Sequence, residues 1–281
     1  MEINIAPQSV SGECDLKCAY NFKYSPSNST ITNNQFFLSI SYDQQKESPV
    51  IYNGAKYNVS SVRLYKPSLH LYLGNKMDAE LIIEHNPVNG GELLRVCVPI
   101  IKSTGSSQSI ANIISNASKS APAKGDTTIV QDFSLQSIVP IKQFYSYYNT
   151  GNIVGGDYIV FGKLNAISLN ESVLTTLGTI IQPFESQMVG EYLFLNGKGP
   201  NTSKENVDGD GIYIDCQPTG TTEETVDIIN DVVSFNIFDD PNVLYVVQII
   251  MSCILFIICI FAFNMVYNKF ASKQVMKTNI K

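Results

Sequence analysis

Short stretches of alternating or clustered apolar residues recur between residues 36 and 161. FFLSISY (36–42), VRLYK (62–66), LHLYL (69–73), AELIIEH (79–85), LLRVCVPII (93–101) and YIVF (158–161) are bounded by Gly, Asn, Pro or Ser. Successive side chains of an extended chain point to opposite faces, and branched or ring side chains pack well on a pleated surface. These stretches therefore predict strands. SLHLYL alternates polar and apolar residues, as a half-buried strand does. Two segments follow the helical period instead. Ser109 to Ala117 (SIANIISNA) puts Ile110, Ile113 and Ile114 on one face, and Leu169 to Leu177 (LNESVLTTL) starts from an Asn at the cap position. The pattern predicts a mainly β (α+β) domain with one large sheet and a few short helices. Residues 102–126 and 196–211, rich in Ser, Gly and polar residues, read as surface loops.

A different pattern begins at Val243. The run VLYVVQIIMSCILFIICIFAFNMV is long and apolar enough for one membrane-spanning helix, and only Gln248 and Asn264 in it are strongly polar. Asp239 and Asp240 precede it, Tyr245 and Tyr267 mark its interfaces, and Lys269, Lys273, Lys277 and Lys281 follow. The start, MEINIAPQSV, lacks the basic and apolar regions of a signal peptide. The expected organisation is a folded domain over 1–236, a juxtamembrane linker over 237–242, a transmembrane helix over 243–267 and a short basic tail over 268–281. The chain reads as a tail-anchored, single-pass membrane protein.

Charge narrows the partners. The net charge is −6, and residues 1–240 carry 15 basic against 25 acidic side chains, a balance of −10. Such a balance disfavours nucleic acid and bulk polyanions. Of the six cysteines, Cys253 and Cys259 fall in the apolar run and Cys97 in an apolar strand. Cys14, Cys18 and Cys216 are disulfide candidates, with the pairing open. Asn206 to Gly211 copies half of a calcium loop, but Gln217 stands where the closing Glu belongs, so no metal is expected there.

Tyr57 to His85, YNVSSVRLYKPSLHLYLGNKMDAELIIEH, resembles the metal-binding core of the α-class carbonic anhydrases. That family reads Y-x-L-x-Q-F-H-F-H-x-P-S-E-H, a short turn, then E-L-H-L-V-H. Three neutral imidazoles there hold a zinc with one open position for water. The resemblance places Tyr57, Pro67, Ser68, His70, Gly74, Glu80, Leu81 and His85 at matching positions. The three ligand positions fall on Arg63, Tyr65 and Ile82. A guanidinium stays protonated and has no lone pair for a metal, and an isoleucine has no donor atom. The chain has two histidines, His70 and His85, at positions the family uses structurally. Phe36 stands at the proton-shuttle position, Leu69 replaces the acid that orients the catalytic threonine, and YNTGNIVGGDYIVF lacks that threonine's loop.

The resemblance thus implies a twisted, mostly antiparallel central sheet, no cofactor and no enzyme activity. Arg63 and Tyr65, on one face by alternation, are the candidate binding groove. Alternatively they fill the vacated zinc cavity, with Arg63 paired to a buried acid such as Glu80. A ligand-free domain of this kind with a carboxyl-terminal anchor also resembles a family of virion membrane proteins of poxviruses and other large DNA viruses. That implies a virion membrane location with the amino-terminal domain exposed, host-cell attachment through a surface glycan or protein, and a candidate homo-oligomer. The other readings are a structural virion protein tethering membrane to capsid, and a divergent carbonic anhydrase with relocated ligands.

Overall fold

The computed structural model describes residues 2–15, 17–151, 155–184 and 188–202. The expected linker, membrane helix and tail, and Cys216, lie outside these residues. Among the described residues, no helix is long and apolar enough to cross a membrane.

The first strands are β1 (Asn4–Ile5), β2 (Gly12–Glu13), β3 (Tyr20–Phe22), β4 (Ser27–Asn33) and β5 (Phe37–Ile40). They lead to β6 (Val50–Tyr52), β7 (Ala55–Tyr65), β8 (Leu71–Tyr72), β9 (Ala79–Pro87) and β10 (Leu93–Lys102). After helix α1 (Gln108–Ser120) come β11 (Thr127–Phe133), β12 (Phe144–Asn149), β13 (Gly156–Phe161) and β14 (Ile167–Leu169). Helix α2 (Glu171–Ile180) and β15 (Phe194–Asn196) follow. One large sheet runs β11-β4-β5-β7-β9-β10-β13-β12-β15-β2, with β3, β6 and β14 attached to it. Most pairs are antiparallel, but β10 runs parallel to β13 and β14, and β15 to β2, so the sheet is mixed.

Alternation sorts the central strands into two faces. Val62 and Leu64, Leu81 and Ile83, and Val96, Val98 and Ile100 are fully buried. They share one cluster with Ile110, Ile113 and Ile114 of α1 and Leu174 and Leu177 of α2. Burial of each such side chain contributes roughly 1.5–3 kcal/mol. The opposite face carries Tyr65, Ile82, Cys97, Tyr145, Tyr147 and Tyr158, packed with Ile3 and Ile5 near the amino terminus. The chain thus builds a core on one side of the sheet and the site on the other.

Both expected helices form. The Asn170 side chain accepts from the Val173 amide, which caps α2. Two expectations need correction. Residues 102–126 are no simple surface loop, since they contain α1 with its isoleucines in the core. The strand expected over 68–73 shrinks to Leu71–Tyr72, paired with β1. The Leu69 and His70 amides donate to the Glu80 carboxylate instead of to a neighbouring strand.

Candidate functional site

The three positions at which the resemblance expects zinc ligands lie together on one face. Arg63 of β7 pairs in register with Ile82 of β9, and Tyr65 with Glu80. Ile82 faces Cys97 of β10, and Glu84 faces Arg95. Tyr65 and Ile82 are buried, packed with Leu69, Tyr72 and Cys97. Arg63 is different: its side chain remains 36% exposed, at the rim.

Arg63 does not reach Glu80, correcting the pairing expected for a cavity-filling arginine. Its Nη2 lies 3.4 Å from Glu84 Oε1, while Arg95 Nη2 holds Glu84 Oε2 at 3.0 Å. The register explains this, because Glu80 stands opposite Tyr65 and only Glu84 projects from the same face near the Arg63 end. The Arg63 guanidinium also lies over the Phe37 ring, 5.5 Å from its centre. Phe37 meets Tyr65, Tyr65 meets Phe184, and Phe184 meets Phe36, with centroids 5.0, 6.1 and 5.9 Å apart. Phe36, at the expected shuttle position, and Phe184 are partly exposed. This face thus carries an aromatic rim with one guanidinium.

Glu80 is fully buried and surrounded by donors. Oε1 accepts from the Tyr72 hydroxyl at 2.5 Å and from His70 Nδ1 at 2.7 Å. Oε2 accepts from the amides of Leu69 at 2.7 Å and His70 at 3.2 Å. Burial pushes the Glu80 carboxyl up, but His70, Tyr72 and the Leu69 amide outweigh it and hold it below the usual carboxylate range. His70 Nε2 meets the Tyr147 hydroxyl at 2.8 Å, and the Tyr147 ring stacks on Tyr158. His85 serves the other face. Its Nδ1 donates to the Leu94 carbonyl at 3.3 Å, and its Nε2 faces the Tyr24 hydroxyl at 2.9 Å. Burial lowers its pKa to about 4, so it is neutral at physiological pH. Both histidines are thus built into the hydrogen-bonding of the fold.

A three-histidine zinc does not fit this chain, since Arg63 and Ile82 supply no donor pair. One other group has metal-like composition: the ligand atoms of His70, Glu80 and Cys97 lie within 4.8 Å of one another. Protein partners already meet the ring nitrogens of His70 and both oxygens of Glu80. Burial pushes the Cys97 thiol well above its ordinary range, so it keeps its proton. His70 and Glu80 are closed into a hydrogen-bonded network with Tyr72 and Tyr147, and the buried Cys97 lies beside it.

Of the disulfide candidates, Cys14 and Cys18 are bonded to each other. The charge balance also changes once the described unit is taken by itself. Residues 1–202 hold 14 Lys and Arg against 15 Asp and Glu, a net of −1. Residues 203–240 hold 1 against 10, so the acidity assigned to the whole domain is concentrated there. Sequence reading missed Tyr72, Glu84, Arg95, Tyr147 and Phe184, since nothing in their local spacing ties them to the ligand positions.

Searches of protein-family models and of curated proteins find no match. Solved structures do match. The α-carbonic anhydrase of Photobacterium profundum superposes with a TM-score of 0.56 at 13% identity, covering 69% of this chain and 87% of that one. A carbonic anhydrase from Chlamydomonas reinhardtii, in complex with acetazolamide, gives 0.55 at 13% identity, covering 70% and 90%. Dioscorin complexed with ascorbate gives 0.56 at 13% identity, covering 72% and 88%. At such identity the likeness concerns the fold alone. The chain has a carbonic anhydrase-like fold, and among the described residues His70, Glu80 and Cys97 form its metal-like group.

Proposed function

We propose that this chain is a non-catalytic carbonic anhydrase-like protein of a virion membrane. In this reading it is anchored by residues 243–267 and contributes to host-cell attachment by binding a surface glycan or protein. One observation carries the loss of catalysis. The expected ligand positions are in register on one face, yet hold a guanidinium, a buried phenol and an alkyl group. The attachment role draws on the resemblance to virion membrane proteins and on the rim itself. Arg63, Phe36 and Phe184 offer a cation and aromatic faces to a partner, and a guanidinium with rings suits both sugars and proteins. The near-neutral charge of residues 1–202 removes the objection that a strongly acidic domain would repel an anionic partner.

The test uses the full chain on intact particles. Protease treatment should release the folded domain from the particle surface, and the purified chain should compete with particles for host cells. A domain protected inside the membrane would instead support a structural tether. Particles that attach equally well without the chain would overturn the attachment role.

A further inference from the structure

A cavity of about 660 Å³ opens where β7 and β10 end and β9 begins, beside the carboxyl-terminal half of α2. Lys66, Lys76, Lys102 and Lys163 line it, with Asp78 as the one lining carboxylate. These lysines come from four separate segments, so their convergence is not the solvated face of a single helix. On a unit whose residues 1–202 net −1, the lining alone carries an excess of three positive charges.

Two of the ammonium groups are held by neutral partners. Lys66 Nζ donates to the Leu174 carbonyl of α2, and Lys76 Nζ to the Leu69 carbonyl. Each bond uses one of three donors and adds no negative charge, although Glu80 and Glu2 act on Lys76 from a distance. Lys102 Nζ lies 3.3 Å from Glu171 Oε1, in a pair exposed to solvent. Gly178 adds a separate indication. A glycine inside a helix is unfavourable, and here a Cβ would stand 2.8 Å from Lys66 Nζ, so a side chain at 178 would push the flexible ammonium from its present place at the cavity wall.

We propose that this cavity binds a small ligand bearing a compact oxyanion, a phosphate or sulfate ester group. Its volume lies within the range of about 300–1,000 Å³ typical of small-molecule sites, which leaves room for the organic part of an ester. Lysines attract such a group as point charges without imposing a planar geometry, so both esters fit and the dianionic phosphate ester is expected to bind more tightly than the monoanionic sulfate ester. The site is separate from the rim of the candidate groove, because the cavity lining includes none of Arg63, Tyr65 or Ile82.

The test is calorimetric titration of the full chain in non-ionic detergent with sodium phosphate, sodium sulfate and sodium chloride at matched ionic strength. Saturable binding of phosphate or sulfate, exceeding that of chloride, is expected. Two esters, glucose 6-phosphate and glucose 6-sulfate, then distinguish the sources, the tighter one naming the class. The exposed pair Lys102→Glu with Lys163→Glu should weaken binding at least about tenfold, as the loss of charge contacts does. Gly178→Ala, which crowds Lys66, should weaken it too. Equal responses to all three salts, or unchanged binding by both variants, would overturn the proposal.

Discussion

Arg63 stands directly across the β7–β9 ladder from Ile82, on the sheet face that also carries Tyr65. A zinc hydroxide needs three neutral donors converging on one point, with a fourth position open. The backbone here keeps the three expected ligand positions on one face, and none of their side chains is an imidazole. Tyr65 and Ile82 turn inward and pack, and Arg63 turns toward Glu84 at the rim.

The purified full chain is expected to contain far less than one zinc per molecule and to hydrate CO₂ at the background rate. Elemental analysis and a stopped-flow pH assay check both, and one tightly held zinc per chain would refute the expectation. Combining Arg63→His, Tyr65→His and Ile82→His should restore metal binding, because the three positions already share a face. Hydration should stay low, since Leu69 stands where the resemblance expects the acid that orients the catalytic threonine.

Arg63→Ala should change stability by no more than about 1 kcal/mol, because the pair is partly exposed. Glu84 also keeps Arg95 at 3.0 Å. If the rim is the attachment surface, the same substitution lowers host-cell binding and its salt sensitivity. Thermal melts and binding at two salt concentrations separate the effects. A melting temperature lowered by many degrees, with binding per folded molecule intact, would make Arg63 purely structural.

Glu80→Gln should be among the most destabilising single substitutions in the domain. The carboxylate accepts four hydrogen bonds and meets no acceptor. An amide NH₂ placed there would face donors and stay unsatisfied, at a cost on the order of 3 kcal/mol. Urea denaturation at neutral pH measures it. A loss below about 1 kcal/mol would show that the site relaxes around the amide.

Stability should fall as pH drops from about 6.5 toward about 4, because burial holds the His85 pKa near the lower value. The unfolded chain takes up this proton first, so the contribution is complete above the unfolded pKa and is lost on acidification. The loss amounts to roughly 3 kcal/mol. The depressed Glu80 carboxyl adds to it at lower pH, since its contribution disappears as pH falls through the folded pKa. His85→Phe should be less stable at pH 8, with the Tyr24 hydroxyl and Leu94 carbonyl left without their imidazole partner. Its acid limb between 6.5 and 4 should be flatter than that of the parent. A limb of unchanged slope would exclude His85 as the source.

Apolar alternation along β7, β9 and β10 and the isoleucine spacing of α1 were enough to place strands, helix and buried face. Those signals lie between near neighbours in the chain and need only the geometry of a strand or a helical turn. That Arg63 and Ile82 offer a metal no lone pair was likewise legible, because donor capacity belongs to the residue type. Pairing partners were not legible. Glu84, not Glu80, meets Arg63 because the register between β7 and β9 puts it there, and Leu69 and His70 leave the strand pattern because Glu80 takes their amides. The lysine cavity was equally hidden, with Lys66, Lys76, Lys102 and Lys163 spread over nearly a hundred positions. Only the packing of separate strand ends against α2 brings those charges together, since contacts between distant segments are settled by sheet register and core packing and leave no local periodicity.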